Sequence, residues 1–189
     1  MRVVLRYSAV MLTVGALICS GCGFFANEKT VQPSFPRDRV VMVVHPERLA
    51  KGGKLLITPF VAGVGVTASD DLDRVALRIV KGIIDGLMES QAPFEILVAQ
   101  NAPTAELNLD GRITQKKLPS RVKRWIGGRK FLSVEGQMID VQTGRPVLRF
   151  SHQLKAAPGE SFEDLGIRLG HELGQRIAQQ VAMEKDLSH

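Results

Sequence analysis

The period of apolar residues changes along this chain in a fixed order, and that order restricts the fold more than any other feature. Arg39 to Val44 and Lys54 to Ala62 are β-rich runs. Ser69-Asp70-Asp71 then supplies an N-cap and an acidic first turn. Leu72, Val75, Ala76, Ile79, Ile83 and Leu87 follow at spacings of three and four, so one face of a helix is apolar. Phe94 to Ala99 reads as a short buried strand. Leu107, Leu109, Gly111 and Ile113 alternate with Asn108, Asp110, Arg112 and Thr114, the pattern of a half-exposed strand. Phe131 to Val141 and Pro146 to Leu154 form a further pair, and Gln142-Thr143-Gly144-Arg145 between them is a hairpin turn. Ser161 opens a last helix that runs to about Glu184. The order β, β, α, β, β, β, β, α predicts an α+β sandwich. Its sheet is mixed or antiparallel, of about five to six strands, with two main helices packed most simply on one face.

The amino terminus belongs to a different category. Arg2 and Arg6 make a short positive region, Tyr7 to Ile18 is apolar except for Ser8 and Thr13, and Ser20-Gly21 precedes Cys22. Charge, apolar segment and small residues in that order read as a secretory signal. A stable transmembrane helix needs ~20 apolar residues, more than this segment offers. The expected organisation is a signal peptide over 1–21, a flexible tether over 22–38 and one αβ domain over 39–185. The tether reading rests on the polar, proline-containing stretch after Phe24. With 44% hydrophobic and 23% charged residues the composition is that of a globular chain. Removing Arg2 and Arg6 lowers the formal net charge from +6 to +4.

Three constellations invite chemistry. Cys19-Ser-Gly-Cys22 spells C-x-x-C, but it ends an apolar leader instead of sitting beside a βαβ unit, so thiol redox chemistry is not expected. Gly63-Val-Gly65-Val-Thr-Ala68 stands between a strand and a helix, as a pyrophosphate loop would. The acid required after the next strand is missing, since Ala99-Gln100-Asn101 stands there. His171-Glu172 lacks a second imidazole one turn on, where Gln175 stands; His45, His152 and His189 lack ligand spacing. No cofactor, metal or catalytic residue is expected.

Two features remain. Gly166, Gly170 and Gly174, continued by Ala178 and Ala182, form a small-residue ridge along the last helix. Glycine inside a helix costs about 0.5–1 kcal/mol relative to alanine, so a close approach is implied, either to the domain's own sheet or to a neighbouring subunit. Leu165, Leu169, Leu173, Ile177 and Val181 form the adjoining apolar stripe. From Gly111 to Val134 no acid occurs, while Arg112, Lys116, Lys117, Arg121, Lys123, Arg124, Arg129 and Lys130 supply eight positive charges. Trp125, the only tryptophan, lies among them. Two readings stand: a solvated hairpin tip, or a loop facing anions or a partner through Arg121, Lys123, Arg124, Trp125, Arg129 and Lys130. An export signal argues against nucleic acid as that anion.

Ser20-Gly21-Cys22 resembles the lipobox of bacterial lipoproteins, with Cys19 where that pattern prefers Leu. The resemblance implies cleavage before Cys22 and acylation there; Gly23, in place of Asp, implies the outer membrane, periplasmic side, in enterobacterial-type sorting. Further along, Leu55-Leu-Ile-Thr-Pro-Phe60, Phe94-Glu-Ile-Leu-Val98, Leu109-Asp-Gly-Arg-Ile113 and Val134-Glu-Gly-Gln-Met-Ile-Asp-Val-Gln-Thr-Gly144 are similar to the envelope lipoprotein group of CsgG, LpoB, PelC and the amino-terminal domain of TolB. That resemblance implies an αβ fold and a non-enzymatic role in secretion, polysaccharide export or control of peptidoglycan synthesis, as a homo-oligomer or docked on an envelope complex. A lipid or glycan carrier, and a periplasmic enzyme, are the competing classes.

Overall fold

The computed structural model describes residues 40–97, 103–117 and 129–187. Ser69 starts the first long helix as expected: its Oγ accepts from Leu72 N at 3.2 Å, and α2 spans Asp70–Glu89. Before it come β1 (Val41–Val43), a short helix α1 (Pro46–Lys51), β2 (Gly53–Ile57) and β3 (Val61–Ala62). After it come β4 (Phe94–Leu97), β5 (Leu107–Lys117), β6 (Phe131–Asp140), β7 (Pro146–Lys155) and the closing helix α3 (Phe162–Leu187). Ser161 Oγ accepts from Asp164 N at 3.0 Å and so caps α3.

The strands form one seven-stranded sheet in the order β1-β7-β6-β5-β2-β4, with β3 paired to β5. It is mixed. β2 lies parallel to both β4 and β5, and β3 parallel to β5, whereas β5-β6, β6-β7 and β1-β7 are antiparallel. The strand number exceeds expectation in part because the run Lys54 to Ala62 is not one strand. Pro59 has no N–H to give a ladder, so pairing stops after Ile57 and resumes at Val61. The segment α1 was not foreseen, because six residues with Leu49 alone buried show no helical period.

Strand alternation sorts the sheet into two faces. Leu107, Leu109, Ile113, Leu132, Val134, Met138, Leu148 and Phe150 point to the helices and are buried with the inner faces of α2 and α3. Asn108, Asp110, Arg112, Ser133, Glu135, Gln137 and Arg149 point the other way and remain half-exposed. The hairpin turn is held by Asp140: its Oδ1 accepts from Thr143 N (2.8 Å) and Thr143 Oγ1 (2.9 Å), and Gly144 takes φ +68°, a region open to glycine.

The glycine ridge of α3 faces α2, not the sheet. A Cβ at Gly170 would lie 2.1 Å from Ile79 O, and one at Gly174 2.5 Å from Ile83 O. The contact is reciprocal: a Cβ at Gly82 of α2 would lie 2.1 Å from Ile167 O, and one at Gly86 2.4 Å from His171 O. Two glycine rows at a stride of four interlock, and the helix backbones touch. Gly166 is looser, with 3.2 Å to Val75 O. Gly82-Ile-Ile-Asp-Gly86 is the readable half of this seam that sequence reasoning passed over.

Candidate interaction surface

The end of the sheet where β5 stops and β6 starts carries the described part of the basic segment. Two of its lysines point to the helix side and are occupied there. Lys116 pairs with Asp71 at the start of α2, and its ammonium lies 5.1 Å from the Phe162 ring. Lys130 Nζ donates to Glu160 O at 2.7 Å and lies 5.4 Å from the same ring. Phe162 is thereby held between two cations at the start of α3. The Lys116 ammonium lowers the Asp71 carboxyl pKa. Arg168 grips Glu160 with Nε and Nη2 at 3.0 and 2.9 Å and lowers that carboxyl in the same way. These groups fasten the sheet end to both helix starts.

The other face of the same rung differs. Lys117 pairs in register with Phe131, and Phe131 with Lys155, so an aromatic ring lies between two lysines on the side turned away from the helices. Lys155 Nζ stands 5.6 Å from the Phe131 ring. Lys117, Lys155 and Arg129 are exposed and have no ion pair among the described residues. Arg121, Lys123, Arg124 and Trp125 lie outside the described residues, as does Cys22. Of the cations singled out from sequence, the structure therefore separates Lys130, engaged internally, from Arg129, exposed. Lys117 and Lys155 were not singled out, though register across the hairpin would have brought Lys155 to Phe131.

The opposite end of the sheet is a packed polar knot. Arg48 Nε donates to Asp140 Oδ2, Nη1 donates to Gly52 O at 2.7 Å, and Nη2 lies 3.5 Å from Glu106. The Arg48 guanidinium holds the buried Asp140 carboxyl below its usual pKa. The histidines tie elements together one at a time: His152 of β7 meets Glu172 of α3 at 3.2 Å, and His171 meets Glu89. Burial lowers the pKa of His152 against the pull of Glu172. Among the described residues there is no group of three metal-type side chains, and no helix is long and apolar enough to cross a membrane. On the sheet face away from the helices, burial raises the Asp110 pKa, and Asn108 Oδ1 is buried with no hydrogen-bond partner among the described residues. Surface clefts include one of about 150 Å³ between α2 and β4 (Leu87, Met88, Phe94, Ile96) and one of about 290 Å³ along α2 (Arg74, Leu77, Lys81, Glu163).

No protein-family model matches the chain, and no curated protein matches it. Solved structures do. PelC from Paraburkholderia phytofirmans, a dodecamer, superposes with a TM-score of 0.52 at 15% identity, over 73% of this chain and 96% of that one. A single-residue variant of the same PelC, again a dodecamer but in a second crystal form, gives 0.51 at 15% identity, over 74% and 99%. The lipoprotein GNA1162 from Neisseria meningitidis reaches 0.39 at 10% identity over 57% and 84%, too little to argue from. The chain thus shares the fold of PelC: a mixed sheet with its helices packed on it.

Proposed function

We propose that this chain is a lipid-anchored, non-catalytic component of a cell-envelope machine, assembled as a homo-oligomer on the periplasmic side of the outer membrane. The observation that carries the proposal is the PelC fold, which occurs as a dodecamer in two crystal forms. The signal-like leader ending at Ser20-Gly21-Cys22 supports the anchor. Polysaccharide export is the machine class closest to this reading, with secretion and peptidoglycan synthesis beside it. An interlocked α2-α3 seam gives the domain a rigid body suited to assembly. In native mass measurement of the chain extracted from membranes in mild detergent, the expected species is a closed multiple of the subunit mass. A species of single-subunit mass at every concentration would overturn the oligomer. Intact mass of the subunit tests the anchor, through the added mass of acyl chains and the loss of residues 1–21.

A further inference from the structure

Where the chain enters the fold is set by β1. Val43 faces Leu148, Val41 faces Phe150, and Ser151 N donates to Val40 O at 3.0 Å. Because the pair is antiparallel, moving back along β1 means moving forward along β7. Lys155 lies four residues beyond Ser151, about 13 Å at strand rise. The amino-terminal end of β1 therefore lies toward the end of the sheet where β5 stops, β6 starts and β7 stops. That is the end bearing the Lys117–Phe131–Lys155 rung.

Two independent features thus meet at one end. The first is the amino-terminal end of β1; Cys22 and Val40 are 18 residues apart, a reach of at most about 60 Å. The second is the chemistry of the rung: exposed Lys117 and Lys155 beside the half-buried Phe131 ring, and exposed Arg129 two residues before it, none of the three in an ion pair among the described residues. The acids at this end sit on the helix side: Asp71, Glu160 and Glu163 are matched by Lys116, Arg168, Arg74 and Arg78, while the exposed Asp70, Asp73 and Asp164 of the helix first turns have no ion pair among the described residues. A ring flanked by unmatched cations suits a phospholipid headgroup layer, where phosphates meet the ammonium groups and the ring lies at the apolar boundary.

We infer that this end of the sheet rests on the anionic phospholipid surface of the membrane that holds Cys22, through Lys117, Phe131, Lys155 and Arg129. The domain then stands with its strands rising from the membrane and the Arg48–Asp140 end directed away. This rests on Cys22 being the anchor, and the two ideas can fail separately. The test uses the mature chain with Cys22→Ser, so that acyl chains do not dominate binding. Co-sedimentation is measured with vesicles of pure phosphatidylcholine and of phosphatidylcholine mixed with phosphatidylglycerol. Binding to the mixed vesicles is expected to exceed binding to the neutral ones and to weaken with salt. The variant Lys117→Gln/Arg129→Gln/Lys155→Gln is expected to bind the mixed vesicles on the order of 100-fold more weakly, at about 1 kcal/mol per cation near the surface. A control at the far end, Lys51→Gln/Arg145→Gln, is expected to bind like the parent. Equal binding by parent and triple variant, or an equal loss in the far-end control, overturns the orientation. Acyl mass on Cys22 without rung-dependent binding sinks the orientation alone. Rung-dependent binding with no acyl mass on the native chain sinks the anchor alone.

Discussion

The α2-α3 seam and the outer face of the last rung are both departures from what an ordinary domain surface requires, but they are resolved differently. Along the seam, glycines leave space that the opposite backbone fills, so the need is met inside the domain. At the rung, Lys117 and Lys155 flank an aromatic ring, with the exposed Arg129 two residues before it, and nothing is described opposite them. The lesson is that a stripe of small residues and a run of charge can look equally functional until packing shows which already has its counterpart. Lys116 and Lys130 make the same point within one segment, since they are consumed by Asp71, Glu160 and Phe162 while Lys117 and Arg129 are not.

The most damaging way to break this contrast is to fill the seam. Gly170→Leu places a branched side chain where even a Cβ lies 2.1 Å from Ile79 O, so the helices must separate. A loss of about 3 kcal/mol is expected in denaturant unfolding, at the upper end of overpacking costs. Unchanged stability would mean that the seam is not closed in solution. Second, Asp140→Ala leaves Arg48 without its buried partner and the turn without its Thr143 contacts. A loss of about 2 kcal/mol is expected, with vesicle binding of the Cys22→Ser chain unaltered.

Next comes pH. Burial holds the folded-state pKa of His152 below 6.5, so the unfolded chain takes up the proton first as pH falls. The contribution of neutral His152 is complete above pH 6.5 and is lost as pH drops below that value toward the folded-state pKa. Thermal melts from about pH 7.5 downward are expected to fall less steeply for His152→Leu than for the parent, with Glu172, Arg168 and Arg176 facing the site in both. Parallel curves would remove His152 from the account. Smaller again is Gly166→Ala, where the added Cβ would lie 3.2 Å from Val75 O, tight but without the overlap seen at Gly170. The helix-propensity gain of about 0.5–1 kcal/mol offsets the contact, so the net change is expected within about 0.5 kcal/mol. The rung variant Lys117→Gln/Arg129→Gln/Lys155→Gln closes the series, with a stability change also within about 0.5 kcal/mol. Any larger loss would assign those cations to folding and dissolve the contrast with the seam.

The local parts of the fold were legible, and the distant pairings were not. Ser69, Ser161 and the Asp140-x-x-Thr143-Gly144 turn announce themselves because their hydrogen bonds span three or four residues. The glycine ridge showed that something approaches α3, but its counterpart Gly82/Gly86 lies over eighty residues away, and a stride of four does not name its partner. The place of β2 between β4 and β5 was hidden for a similar reason. Both of its neighbours are parallel and reached through long connections, so no turn records the pairing. At the candidate surface the charge run was visible, yet which lysine faces the helices depends on strand parity after the irregularity between Ile113 and Gln115.

The pairing of β1 with β7 joins Val41 to Phe150, 109 positions later. A chain made amino terminus first therefore presents β1 long before the strand that will receive it exists. Closing so large a loop costs entropy that only the finished hairpin of β6 and β7 offsets. Chains truncated before Pro146 would lose the edge on which β1 docks, so the place of β1 in the sheet is fixed only when synthesis of the hairpin is complete.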